Sequence, residues 1–161
     1  MIKRLILSIV AAVFVLLQVP SNAIALNINE SDRVVKYNET ETIVLTNEQI
    51  ARGTRVFVDT CSQCHNSGRT KTNPNVTLSM KDLAGAEPSR DNVLAMADYL
   101  KLPTNYDGEG DLLELHPNVS RLDIWPVMKG LTDSDLEDVS GFILVKAQVE
   151  SERWGRGKVY D

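Results

Sequence analysis

The sequence predicts a mainly α-helical domain that opens with a short β-hairpin and follows an export signal. Two capping signatures, at Thr46 and Thr132, each introduce a segment with helical spacing of apolar residues. Residues 33–45 are instead rich in Val, Thr, Tyr and Ile, the composition of short strands. The length of 161 residues is that of one domain.

Residues 1–25 have the pattern of a secretory signal peptide. Lys3 and Arg4 precede an apolar run, and an Ala-Ile-Ala cleavage sequence ends at Ala25. The run is short for a membrane-spanning helix, so we expect cleavage and a mature domain over 26–161, with an uncleaved anchor as the alternative. Cleavage would change the net charge from −5 to −7. Such an acidic chain argues against nucleic acid and anionic lipid as partners.

A small antiparallel hairpin is predicted around the polar residues 38–41. Val35 and Tyr37 before this turn, and Ile43 and Leu45 after it, suggest two short strands.

A helix is then predicted from about Asn47 to Cys61. Thr46 and Gln49 form a capping box, in which the Thr hydroxyl accepts from the Gln backbone N–H and the Gln side chain reaches back. The helix leads directly into the most informative segment of the chain.

That segment, Cys61-Ser62-Gln63-Cys64-His65, reads C-x-x-C-H, the pattern that attaches c-type haem. Each thiol forms a thioether with one haem vinyl group, and the adjacent histidine reaches the iron as an axial ligand. The export signal agrees with this reading, because haem is attached on the far side of an energised membrane. The sequence therefore predicts a small cytochrome c fold around one covalent haem c.

Three other interpretations of the same residues stay open. Cys61 and Cys64 could form a disulfide, which would leave His65 without a role. They could form a thioredoxin-like redox pair, although the flanks are not those of a βαβ unit. With His65 and His116 they would also make a Cys₂His₂ zinc set, although histidine spacing in zinc sites is usually different.

Further helices are predicted beyond the polar loop 66–74. One short helix ends near Gly85, and a clear amphipathic helix covers 90–101. Short helical segments are also predicted over 109–114 and 120–128.

The last predicted helix follows the cap at Thr132 and runs to about Val145. We expect it to pack across the first helix, as the terminal helices of small cytochromes c do. The tail over 153–161 has two glycines and two aromatic residues, Trp154 and Tyr160, and is predicted to be a surface segment.

The second axial ligand could be absent, a methionine or a histidine. Met96 falls on the apolar face of a predicted helix, and Met80 is too close to the motif to reach the opposite haem face. Met128 and His116 remain. Trp125 precedes a proline where electron-transfer cytochromes c usually have methionine, which favours His116. Because Met/His ligation raises the haem potential, a His/His pair should lower it.

Several segments along the chain share the pattern of one family. They are 57–65, 70–73, 82–85, 90–92, 106–109, 115–117 and 154–155. With the signal peptide, they resemble the PsbV family, the extrinsic low-potential cytochrome c of photosystem II in cyanobacteria and some algae. The glycine-rich tail of that family is altered here, which leaves a divergent paralogue as an alternative.

The resemblance implies axial ligation by His65 and His116, with covalent attachment through Cys61 and Cys64. It also implies a lumenal protein, peripheral on the thylakoid membrane, that binds photosystem II core subunits beside a second small extrinsic subunit. There it would stabilise the manganese–calcium cluster and its calcium and chloride requirement, without being an enzyme. The alternative function is a soluble periplasmic or lumenal electron-transfer cytochrome c.

Overall fold

The computed structural model describes residues 28–155, and the predicted signal peptide and the last six residues lie outside this range. The described chain is mainly α-helical with one two-stranded sheet, so the predicted fold class is confirmed. The strands are β1 (Val34–Lys36) and β2 (Thr42–Val44). The helices are α1 (Asn47–Val56), α2 (Ser62–His65), α3 (Met80–Ala84), α4 (Val93–Lys101) and α5 (Asp133–Glu150).

The hairpin forms where it was predicted. Val35 pairs with Ile43 in the antiparallel register, and the Asn38 side chain accepts from the backbone N–H groups of Thr40 and Glu41 to close the turn. Val35 is buried, because its strand lies on the core.

Helices α1 and α5 cross in close contact and form the centre of the fold. A Cβ on Gly53 would overlap the backbone carbonyl of Asp138 and lie 2.8 Å from the Cβ of Phe142. Both predicted capping boxes are present, at Thr46 and Thr132. The predicted packing of the last helix across the first is therefore confirmed.

Helix α5 is longer than predicted and ends at Glu150 rather than near Val145. No helix-breaking residue intervenes, Ala147 is buried, and Lys146 pairs with Glu150 one turn later. Helix α4 begins at Val93, because the Asn92 side chain accepts from the backbone N–H of Ala95 and caps it there.

Two predicted helical segments are wrong. Residues 109–114 form turns and one isolated β-bridge, and residues 120–128 form turns followed by a 3₁₀ turn over Pro126–Met128. Fully buried Asn118 explains the first difference, since its Nδ2 donates to the carbonyls of Leu113 and His116 and holds an irregular loop. The proline begins the 3₁₀ turn instead of ending a helix, because its fixed φ suits a first helical position.

Candidate haem site

Cys61 ends a widened helical turn that the sequence did not predict. Phe57–Cys61 is π-helical, with the Ser62 N–H donating to the Phe57 carbonyl five positions earlier. The Thr60 hydroxyl donates to the Val56 carbonyl at 2.6 Å. Because such a turn holds one extra residue, it shifts the helical register of everything after it, and π-turns are frequent at functional sites.

Cys61 and Cys64 are both thiols in the structure. Burial raises the pKa of the Cys61 thiol, and the Thr60 hydroxyl, 3.1 Å from its sulfur, acts in the opposite direction. Cys64 is exposed at the start of the turn that carries His65. The structure therefore does not show the disulfide that was one alternative for this pair.

The rings of His65 and His116 lie close to each other. The ring centroids of His65 and His116 are 6.1 Å apart, with 51° between the ring planes. Two imidazoles that bind one metal ion through bonds of about 2 Å hold their centroids about 6 Å apart. The pair therefore fits the two axial positions of a single iron.

His116 has one ring nitrogen held by the backbone. Its Nδ1 lies 2.9 Å from the carbonyl of Pro117, which can only accept a hydrogen bond, so Nδ1 carries the proton and Nε2 the lone pair. Burial, followed by the effect of His65, lowers the pKa of His116 to about 4. A neutral imidazole with its second nitrogen held by a carbonyl is the usual state of a metal-binding histidine.

His65 has a weaker partner of the same kind. Its Nδ1 lies 3.4 Å from the Thr70 hydroxyl, and burial lowers its pKa. The loop that supplies Thr70 is fixed to the motif, because the Lys71 N–H donates to the Cys64 carbonyl at 2.9 Å. This hydrogen bond therefore holds the loop that carries Thr70 close to the C-x-x-C-H motif.

The methionines considered as ligands lie elsewhere. Met96 and Met128 are buried in the apolar core, and Met80 packs against its edge. Trp125, at the position where methionine is usual, donates through Nε1 to the Leu113 carbonyl at 2.8 Å and braces the loop that carries His116. Among residues 28–155, no three Cys, His, Asp or Glu side chains converge as zinc ligands would.

The tail corrects one prediction. Trp154 is only 3% exposed, so this part of the tail is not a surface segment. Its ring centroid lies 5.7 Å from that of Phe57, and a Cβ on Gly68 would come within 2.7 Å of the indole. The next residue, Gly155, donates to the Ser67 carbonyl at 2.8 Å. The tail therefore holds the loop that follows His65, and Tyr160 lies outside the described residues.

Two further residues near His116 were missed by the sequence analysis. The Tyr99 ring meets the His116 ring edge to face at 5.0 Å, and the guanidinium carbon of Arg90 lies 4.0 Å from the Tyr99 centroid. Helical spacing gave no signal for them, because Arg90 precedes the cap of α4 and Tyr99 lies beside its apolar face.

The cytochrome c-550 domain model matches residues 26–161. The chain belongs to the cytochrome c-550 family. Haem c is accordingly its cofactor, as the C-x-x-C-H segment predicts.

Relatives of this cytochrome c-550 domain cover almost its whole length. Photosystem II extrinsic protein V of Picosynechococcus sp. is 58% identical over 160 residues, which span 98% of this chain and 93% of that protein. The protein of the same name from Gracilaria tenuistipitata var. liui is 42% identical over 98% of this chain and 97% of its own length.

Solved structures agree with the fold. Cytochrome c549 superposes with a TM-score of 0.76 at 43% identity, over 79% of this chain and 99% of that one. The PsbV2 cytochrome of Thermosynechococcus elongatus gives 0.66 at 36% identity, over 76% and 88% of the two chains. The small cytochrome c fold is thereby confirmed.

Proposed function

We propose that Cys61 and Cys64 hold haem c through thioethers and that His65 and His116 are its two axial ligands. The observation that carries this proposal is the pair of neighbouring imidazoles, 6.1 Å apart between ring centroids. When bound, the haem supplies a reversible one-electron centre. Pro117 fixes the tautomer of His116, and Trp125 fixes the loop beneath it.

The ligand set makes this a low-potential cytochrome. A methionine ligand, which binds through its thioether sulfur, stabilises reduced iron and raises the potential, whereas a second histidine ligand does not. The visible spectrum of the purified protein tests the ligation, because the far-red absorption of methionine ligation should be absent. A far-red band in the oxidised protein would contradict the proposal.

The chain functions, on this proposal, as an extrinsic cytochrome c subunit of photosystem II. Its relatives are named photosystem II extrinsic protein V and match it nearly end to end. Within residues 28–155, no helix combines the length and apolar character that crossing a bilayer needs. We assign it to the lumenal face of the thylakoid membrane, beside a second small extrinsic subunit, in a structural rather than an enzymatic role.

The signal peptide belongs to the same proposal. Cleavage after Ala25 would release a domain over 26–161, and the family match begins at the same residue. N-terminal sequencing of the protein from thylakoids tests it, with Leu26 as the expected first residue.

The role in oxygen evolution is tested by deleting the protein. Photosystem II that lacks it should evolve oxygen poorly in calcium- or chloride-poor medium and recover in replete medium, because the subunit is proposed to retain these ions at the manganese–calcium cluster. Adding back the intact protein should restore activity. Unchanged oxygen evolution, together with loss of an electron-transfer step elsewhere, would instead support the soluble electron carrier.

A further inference from the structure

Arg90 is a buried cation without an anionic partner in the described part of the chain. The residue is 8% exposed, and its Nη2 donates to the carbonyl oxygens of Thr104 and Asn105 at 2.9 and 2.8 Å. Among the side chains that the structure describes, no carboxylate lies within ion-pair distance of it. An arginine stays protonated at any ordinary pH, and buried charges are normally paired.

This charge lies close to the second axial histidine. The guanidinium carbon is 4.0 Å from the Tyr99 centroid, and that ring meets His116 at 5.0 Å, so the charge is no more than about 9 Å from the His116 centroid. Arg90 is itself buried, and the field of a buried charge is screened much less than that of an exposed one.

We propose that Arg90 sets the haem potential by electrostatic repulsion and holds it above the value that bis-histidine ligation alone would give. The inference rests on His116 as an axial ligand, as proposed above. Reduction adds one electron and moves no proton, so the oxidised state carries one more positive charge than the reduced state. A fixed cation nearby therefore disfavours oxidation.

The size of the effect follows from Coulomb's law. Two unit charges about 12 Å apart, at an effective dielectric constant of about 20, change an equilibrium constant by about tenfold. For a one-electron couple, a tenfold change corresponds to about 59 mV.

The test is a redox titration of the purified holoprotein and of variants at this position. Arg90→Gln and Arg90→Met should lower the midpoint by about 59 mV, a tenfold change in the reduction constant. Arg121→Gln is the matched control, because that side chain is 35% exposed and already paired with Asp123 at 2.8 Å. Its midpoint should shift by less than about 28 mV, a threefold change in the reduction constant, since surface pairs are screened.

Arg90→Lys separates charge from shape, and it decides the question if the neutral variants do not retain haem. At pH 11 a buried lysine is uncharged, whereas arginine is still charged. The midpoint of this variant should then lie about 59 mV below that of the wild type at the same pH, a tenfold change in the reduction constant. Equal midpoints at pH 11, or unchanged midpoints in the neutral variants, would overturn the proposal.

These results are distinguishable from a failure of the ligand assignment. Methionine ligation in the wild-type spectrum would reject His116 as the ligand whatever the Arg90 variants show. A bis-histidine spectrum with an unmoved midpoint would reject only the role of Arg90.

Discussion

Replacing Trp154 with alanine should destabilise the whole domain, although the residue lies in the tail. The indole is 3% exposed and packs on Phe57 and Gly68. Buried Trp→Ala substitutions cost about 3–5 kcal/mol of unfolding free energy. We expect about 3 kcal/mol, the lower end of that range, because a tail segment can partly collapse into the space and because the buried Nε1 has no partner to lose.

The assay is urea unfolding of the holoprotein, followed by far-ultraviolet circular dichroism. The slope with denaturant should be unchanged while the midpoint falls. Trp154→Phe keeps an aromatic ring on Phe57 and should lose less than half as much stability. Val149→Ala, an exposed position on α5, is the matched control and should stay within about 0.5 kcal/mol of wild type. If Trp154→Ala behaves like this control, the tail does not stabilise the core.

Three other predictions concern the haem ligands and the cap of α5. His116→Met should raise the midpoint in a redox titration, because a methionine ligand favours reduced iron. An unmoved midpoint would show that His116 is not the ligand. Cys61→Ser should weaken the haem-stained band on a denaturing gel, because one thioether is lost, and a band of equal strength would argue against attachment there. Hydrogen bonds from Thr132 lower the pKa of Asp135. The stability they provide is present above the ordinary carboxyl pKa and lost as the pH falls through the lowered value. Asp135→Asn should therefore flatten the acid side of the stability–pH curve, and a curve that keeps its full slope would refute this.

The sequence predicted the elements whose signals are local. The capping boxes at Thr46 and Thr132 are formed by side chains three residues from their targets, so spacing alone reveals them. The hairpin follows from strand-forming residues on either side of a polar turn. The C-x-x-C-H segment is likewise continuous, and the family resemblance predicted His116 as the second axial ligand.

The features that were missed depend on contacts between distant residues. Asn118 fixes its loop through carbonyls that no periodicity marks. Trp154 looked exposed because its neighbours in sequence are polar, whereas its burial depends on Gly68, a position with no side chain to occupy the same space. The π-helical turn adds one residue within an unbroken helical pattern, so the periodicity conceals it.

The aromatic cluster of Phe57, Phe142 and Trp154 has a consequence for how the chain is made. Phe57 begins the turn that carries the cysteines, but its two aromatic neighbours belong to the last helix and the tail. Because a chain emerges from its N-terminus first, both cysteines are made long before these two partners of Phe57. The turn that ends at Cys61 can therefore join the aromatic cluster only after the final segment has docked.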